Sequence, residues 1–163
     1  MIDTSEQTAR ANFLWGRATA QGLADMGVEQ VFFSPGSRST PLVVSCEREA
    51  RLSCLPVLDE RTAAFLALGH ARRTQVPVAL VCTSGSAPAN WYPAVTEASY
   101  YGIPLLLLSA DRPPELQECG AGQTINQINL CGSFVRFFHS RPVPRTEQDD
   151  IKNLQAILAK AYS

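Results

Sequence analysis

Apolar residues recur at helical spacing near the start of the chain. Phe13, Leu14, Ala18, Leu23 and Met26 predict a helix over residues 7–26, and Gly27 stands where such a helix would stop. Residues 28–33 then form a short β-branched and aromatic run bounded by Ser34-Pro35-Gly36, which predicts a buried strand ending in a loop. A helix follows over 40–51, with Ser39 or Thr40 as its cap and Pro41 in the first turn. The rhythm then repeats: strand at 52–58, alanine-rich helix at 60–73, strand at 77–82, tight turn at Thr83-Ser84-Gly85, helix at 86–101. Residues 104–109 hold four consecutive leucines and predict a strand buried on both faces. Residues 110–132 are polar and rich in proline and glycine, a length of loop that compact domains usually reserve for function. Residues 134–139 allow one more strand, and 147–162 predict a closing helix.

Strands alternating with helices at this spacing predict an α/β domain with a mainly parallel sheet and right-handed crossovers. Such sheets bind ligands beyond the carboxyl ends of their strands. The non-repetitive motifs gather there: 34–40 after the first strand, Asp59-Glu60 after the second, 83–86 after the third, and 110–114 after the fourth. Convergence of four loops on one edge argues for a site more strongly than any single motif does.

Composition narrows the field. The 163 residues suffice for one domain with a sizeable core. A net charge of -1 gives no reason to expect a nucleic-acid or anionic-membrane partner. The bases are arginine apart from Lys152 and Lys160, and arginine suits bidentate recognition of carboxylates. Five cysteines without a CxxC read as reduced, mostly buried thiols of a cytoplasmic protein. His70 and His139, the two histidines, read as structural and offer little to a metal site. No stretch is apolar enough for a membrane span. A P-loop, a GxGxxG after the first strand and a GxSxG elbow are all missing, which argues against nucleotide-binding and serine-hydrolase readings.

Glu60 taken alone reads as a first-turn acid stabilised by a helix N-terminus. Its surroundings change that reading. Glu60 is followed by Ala64, Ala67, Gly69 and Ala71, then Pro77-Val78, then Thr83-Ser84-Gly85, Ala87 and Asn90. This pattern resembles the pyrimidine-binding domain of thiamine-diphosphate enzymes such as acetohydroxyacid synthase. The strings Ser34-Pro-Gly-Ser-Arg-Ser-Thr-Pro-Leu42, Ser109-Ala-Asp-Arg-Pro-Pro-Glu-Leu116 and Cys119-Gly-Ala-Gly-Gln-Thr-Ile125 point to the branch of that family that serves menaquinone and phylloquinone biosynthesis.

The resemblance implies a transferase (a carboligase) that decarboxylates 2-oxoglutarate and adds the succinyl-semialdehyde unit to isochorismate. It implies thiamine diphosphate as cofactor, with Glu60 as the catalytic carboxylate at N1′ of the aminopyrimidine. Pro35, Thr83, Ser84, Gly85 and Asn90 would complete the pyrimidine pocket, and Ser37, Arg38, Arg112 and Gln123 would contact the dicarboxylate substrates. Family members bind Mg2+ or Mn2+ through a separate diphosphate-binding domain with a Gly-Asp-Gly motif, which these residues lack; no metal ligand is expected here. Residues 1–163 are thus expected to form a single pyrimidine-binding domain, possessing half a site and inactive alone. Completion is expected from another subunit's diphosphate domain in a homodimer or homotetramer. The sheet is expected to lack its last strand, leaving an edge open to pairing. Asn126 stands where some members carry a basic residue, so the resemblance is weaker beyond Gln123. The alternative is a non-catalytic interaction or regulatory module of the same ancestry, a role for which Glu60 and the two loop arginines are unnecessary.

Overall fold

The computed structural model describes residues 4–162. Its elements in chain order are α1 (Thr4–Asp25), β1 (Gln30–Phe33), α2 (Thr40–Arg48), β2 (Ser53–Pro56), α3 (Glu60–Thr74), β3 (Val78–Cys82), α4 (Tyr92–Tyr101), β4 (Leu105–Ser109) and α5 (Gln148–Tyr162). The four strands make one all-parallel sheet in the order β2-β1-β3-β4. The α/β class expected from the alternating pattern is therefore the class observed.

The pleat of β3 divides the core. Val78, Leu80 and Cys82 face one cluster with Ala63, Ala64, Ala67 and Ala71 of α3 and with Trp91 and Val95. Ala79 and Val81 face the other, with Leu23 of α1 and Cys46 of α2. The α3 alanines are at most 1% exposed, and their small side chains let this helix lie close on the sheet. On the other side α5 packs on α1 through Leu154, Leu158, Trp15 and Ala18. Trp15 also ties down the segment before α5, donating its indole N–H to the Arg145 carbonyl at 2.8 Å while Arg141 stacks over its ring.

Four expectations change. Residues 134–139 are not a strand: Phe134 packs edge-on against Tyr92 at the start of α4, whereas Phe137 lies beneath Lys160 of α5. The aromatic residues of this run anchor it to two helical layers in turn, so its backbone does not join the sheet. The leucine strand β4 is an edge strand, and Leu105–Leu108 are only half-buried. The helix expected over 86–101 is a 3-10 turn at Pro88–Trp91 followed by α4, with Pro93 in the first turn of the helix proper. Ser39 does precede α2, but its hydroxyl donates back to the Gly36 carbonyl at 3.0 Å instead of capping the helix.

Candidate active site

The sense in which the connections move along the sheet reverses at its middle. From β1 the connection runs through α2 to β2 on one side, and from β3 it runs through α4 to β4 on the other. The carboxyl ends of β1 and β3 therefore flank the switch point, where parallel sheets open a crevice. Here the two loops meet. The Ser34 backbone N–H donates to the Val81 carbonyl at 3.0 Å. A Cβ at Gly36 would stand 2.3 Å from the Thr83 Cβ, so only glycine admits this approach. Ser34 is fully buried, and its hydroxyl has no partner among the described residues. Pro35, Ser37 and Arg38 are exposed, the last two on a 3-10 turn spanning Ser37–Ser39.

Glu60 opens α3, but it does not cap it. Asp59 does that, accepting from the Thr62 N–H at 2.7 Å and the Thr62 hydroxyl at 2.8 Å. Those hydrogen bonds hold the Asp59 carboxyl below its usual value of 3.8. With the helix end satisfied by its neighbour, the half-buried Glu60 side chain engages in no hydrogen bond or ion pair among the described residues. It lies near the end of β3: burial, and after it the Glu60 charge, pushes the Cys82 thiol well up.

The turn after β3 is covered by the long loop. Thr83, Ser84 and Gly85 are buried, and Gly85 sits at φ +83°. Ser84 donates its hydroxyl to the Gln123 carbonyl at 3.0 Å, and a Cβ on Gly85 would press on the Gln123 backbone at 3.0 Å. The residue that holds the loop there is Gln127, which no sequence motif singles out. Its side-chain oxygen accepts from the Gly85 N–H at 2.9 Å, and its amide nitrogen donates to the Ala110 carbonyl at 3.0 Å. Gln123 is itself exposed at φ +54°. Asn90 donates to the Ser86 carbonyl at 3.0 Å, an engagement within its own turn.

Arg112 follows β4 and is half-buried, with a buried Nε that has no partner among the described residues. Neither Arg38 nor Arg112 enters an ion pair among the described residues. The structure thus joins the 34–36 loop to Thr83 and the Gln123 segment to Ser84-Gly85. No hydrogen bond or ion pair links Glu60, Arg38 and Arg112 to one another. Among the described residues no group of three or more His, Cys, Asp or Glu side chains could hold a metal ion. No described helix is long and apolar enough to cross a membrane.

The sequence pattern of the thiamine pyrophosphate enzyme N-terminal TPP binding domain matches residues 15–130, which include the three loops just described and Glu60. The chain belongs to this family. Among curated relatives it is similar to 2-succinyl-5-enolpyruvyl-6-hydroxy-3-cyclohexene-1-carboxylate synthase of Natronomonas pharaonis, 47% identical over 154 residues, or 94% of this chain and 26% of that one. The synthase of the same name from Dechloromonas aromatica is 53% identical over 133 residues, 82% of this chain and 25% of its own. That of Haloarcula marismortui is 49% identical over 152 residues, 93% and 26%. The chain spans about a quarter of the length of these relatives.

Its residues fit the pyrimidine portion of that cofactor. Glu60 is a half-buried carboxylate without a partner among the described residues, and the loops at the same end of the sheet hold a serine hydroxyl and an arginine Nε that are likewise buried and unpartnered. A flat ring with several nitrogen donors and acceptors suits such a set better than a metal ion does.

Proposed function

We propose that this chain forms the pyrimidine-binding domain of a thiamine-diphosphate-dependent carboligase. The enzyme decarboxylates 2-oxoglutarate and adds the succinyl-semialdehyde unit to isochorismate, on the route to menaquinone or phylloquinone. The observation that carries the reading is Glu60, which lies at the carboxyl edge with its helix-capping role taken by Asp59. Similarity to the synthases named above supplies the substrates.

Glu60 would hold the aminopyrimidine through its N1′ and could exchange a proton there, and the buried alanine face of α3 holds the helix that carries this carboxylate against the sheet. Thr83, Ser84, Gly85 and Pro35 would hold the pyrimidine portion, and Asn90 ties the 86–90 turn through its bond to the Ser86 carbonyl. Arg38 and Arg112, free of carboxylate partners of their own, are suited to grip the carboxylates of the two substrates bidentately. Ser37 and Gln123 add hydrogen bonds. When bound, the cofactor's thiazolium supplies the electron sink for loss of CO2 and for carbon–carbon bond formation. Mg2+ or Mn2+ and the diphosphate are held by a diphosphate-binding domain of another subunit in a homodimer or homotetramer, in the cytoplasm.

Calorimetry and an activity assay test this reading. Residues 1–163 alone should bind thiamine diphosphate negligibly. Combined with the diphosphate-binding portion, they should convert 2-oxoglutarate and isochorismate to the carboligation product. Tight binding by the chain alone would overturn the shared site, and an assembled enzyme inert toward these substrates would overturn the assigned reaction.

A further inference from the structure

Gln127 is 8% exposed, a buried glutamine in a loop whose other polar side chains lie nearer solvent. A primary amide offers one acceptor oxygen and two N–H donors, and here both kinds are used. The oxygen accepts from the Gly85 N–H, while the nitrogen donates to the Ala110 carbonyl and, at 3.4 Å, to the Ser109 hydroxyl. The partners force this orientation, because a backbone N–H must meet the oxygen and a carbonyl must meet the nitrogen. One side chain thus links the turn after β3, the end of β4 and the 110–132 loop.

Gln127 touches none of the residues assigned to substrate, but it controls two that matter. Because the peptide between Ser84 and Gly85 is planar, fixing the Gly85 N–H also fixes the direction of the Ser84 carbonyl. Because Gln127 lies four residues beyond Gln123, it also sets where the Gln123 backbone rests on Ser84 and Gly85. We infer that Gln127 is a positioning residue for the substrate-facing edge, acting through Gly85 and Gln123 and requiring both donor and acceptor. This inference rests on the proposed function for what that edge binds, though not for the contact itself.

Two measurements separate the inference from the reading beneath it. In the isolated chain, Gln127→Met should speed hydrogen exchange at the Gly85 amide about tenfold or more, as expected when a buried amide loses its acceptor. In the assembled synthase the same variant should raise KM for the dicarboxylate substrates about five- to tenfold, with a smaller change in kcat. Gln127→Glu keeps an acceptor oxygen when ionised and regains a donor when protonated. Its KM should therefore approach that of the wild type as pH falls, a profile that a merely structural role would not produce. It also serves if the methionine variant fails to fold. Unchanged Gly85 exchange in Gln127→Met overturns the inference. So does an active assembly in which either variant has a wild-type KM at all pH values. A wild-type assembly without activity overturns the proposed function instead, and the exchange result still decides whether Gln127 sets the turn.

Discussion

At the amino edge of the sheet, an open cavity of about 500 Å³ lies between the starts of β1 and β2, lined by Gly27, Glu29, Arg51 and Ser53 among others. At the carboxyl edge, glycine contacts and the Gln127 bridge draw the loops together. The amino edge holds the less reactive chemistry. Its arginine, Arg51, is paired with Asp25 at 2.7 Å and with Glu49 at 2.8 Å. The carboxyl edge keeps Glu60, Arg38 and Arg112 out of any ion pair among the described residues. Ionisable groups left without partners are a better guide to a candidate site here than a cavity alone.

The strongest way to break that comparison is at Glu60. In the assembled enzyme Glu60→Gln should lower kcat by about 10²–10⁴-fold, the usual scale for losing a proton-transferring group. The unfolding temperature measured without cofactor should stay the same, because the side chain has no hydrogen bond or ion pair among the described residues to lose; near-normal turnover would remove Glu60 from the mechanism. Gly36→Ala probes how closely the edge is packed. Gly36 is extended at φ 177°, so alanine brings no backbone strain, but its Cβ would collide with Thr83. Urea unfolding should show a loss of about 1–3 kcal/mol, typical of overpacking, and Thr83→Gly in the same chain should recover most of it. The smallest effect belongs to the amino edge. Arg51→Ala removes two exposed ion pairs and should leave turnover unchanged and the urea midpoint nearly so. A clear loss of activity would show that this edge takes part after all.

The alternation of elements was legible because β1, β3 and β4 are short runs dominated by apolar residues and set off by turn residues. Position within the sheet was not. β4, with four leucines, reads as more apolar than β3, yet β3 is buried throughout and β4 lies at an edge. Hydrophobicity records what a strand can cover, while strand order decides what covers it. The Asp59-Glu60 pair shows the same limit at the site. Both are acids at a helix start, and only the geometry assigns one to the cap and frees the other. Gln127 was invisible for a plainer reason: its partners are main-chain and hydroxyl groups 17, 18 and 42 residues away, which no local pattern encodes.

The alanine face of α3 has a mechanical consequence. Glu60 stands at one end of the 15-residue helix, and Ala71 is clamped to the sheet near the other. At 1.5 Å of rise per residue the two are roughly 16 Å apart, so a tilt of about 5° at Ala71 swings the carboxylate by roughly 1.4 Å. Displacements of about 1 Å already disturb catalytic alignment. A single methyl group added at the far end of this helix thus moves the Glu60 carboxylate as a lever does, with Ala71 as the fulcrum.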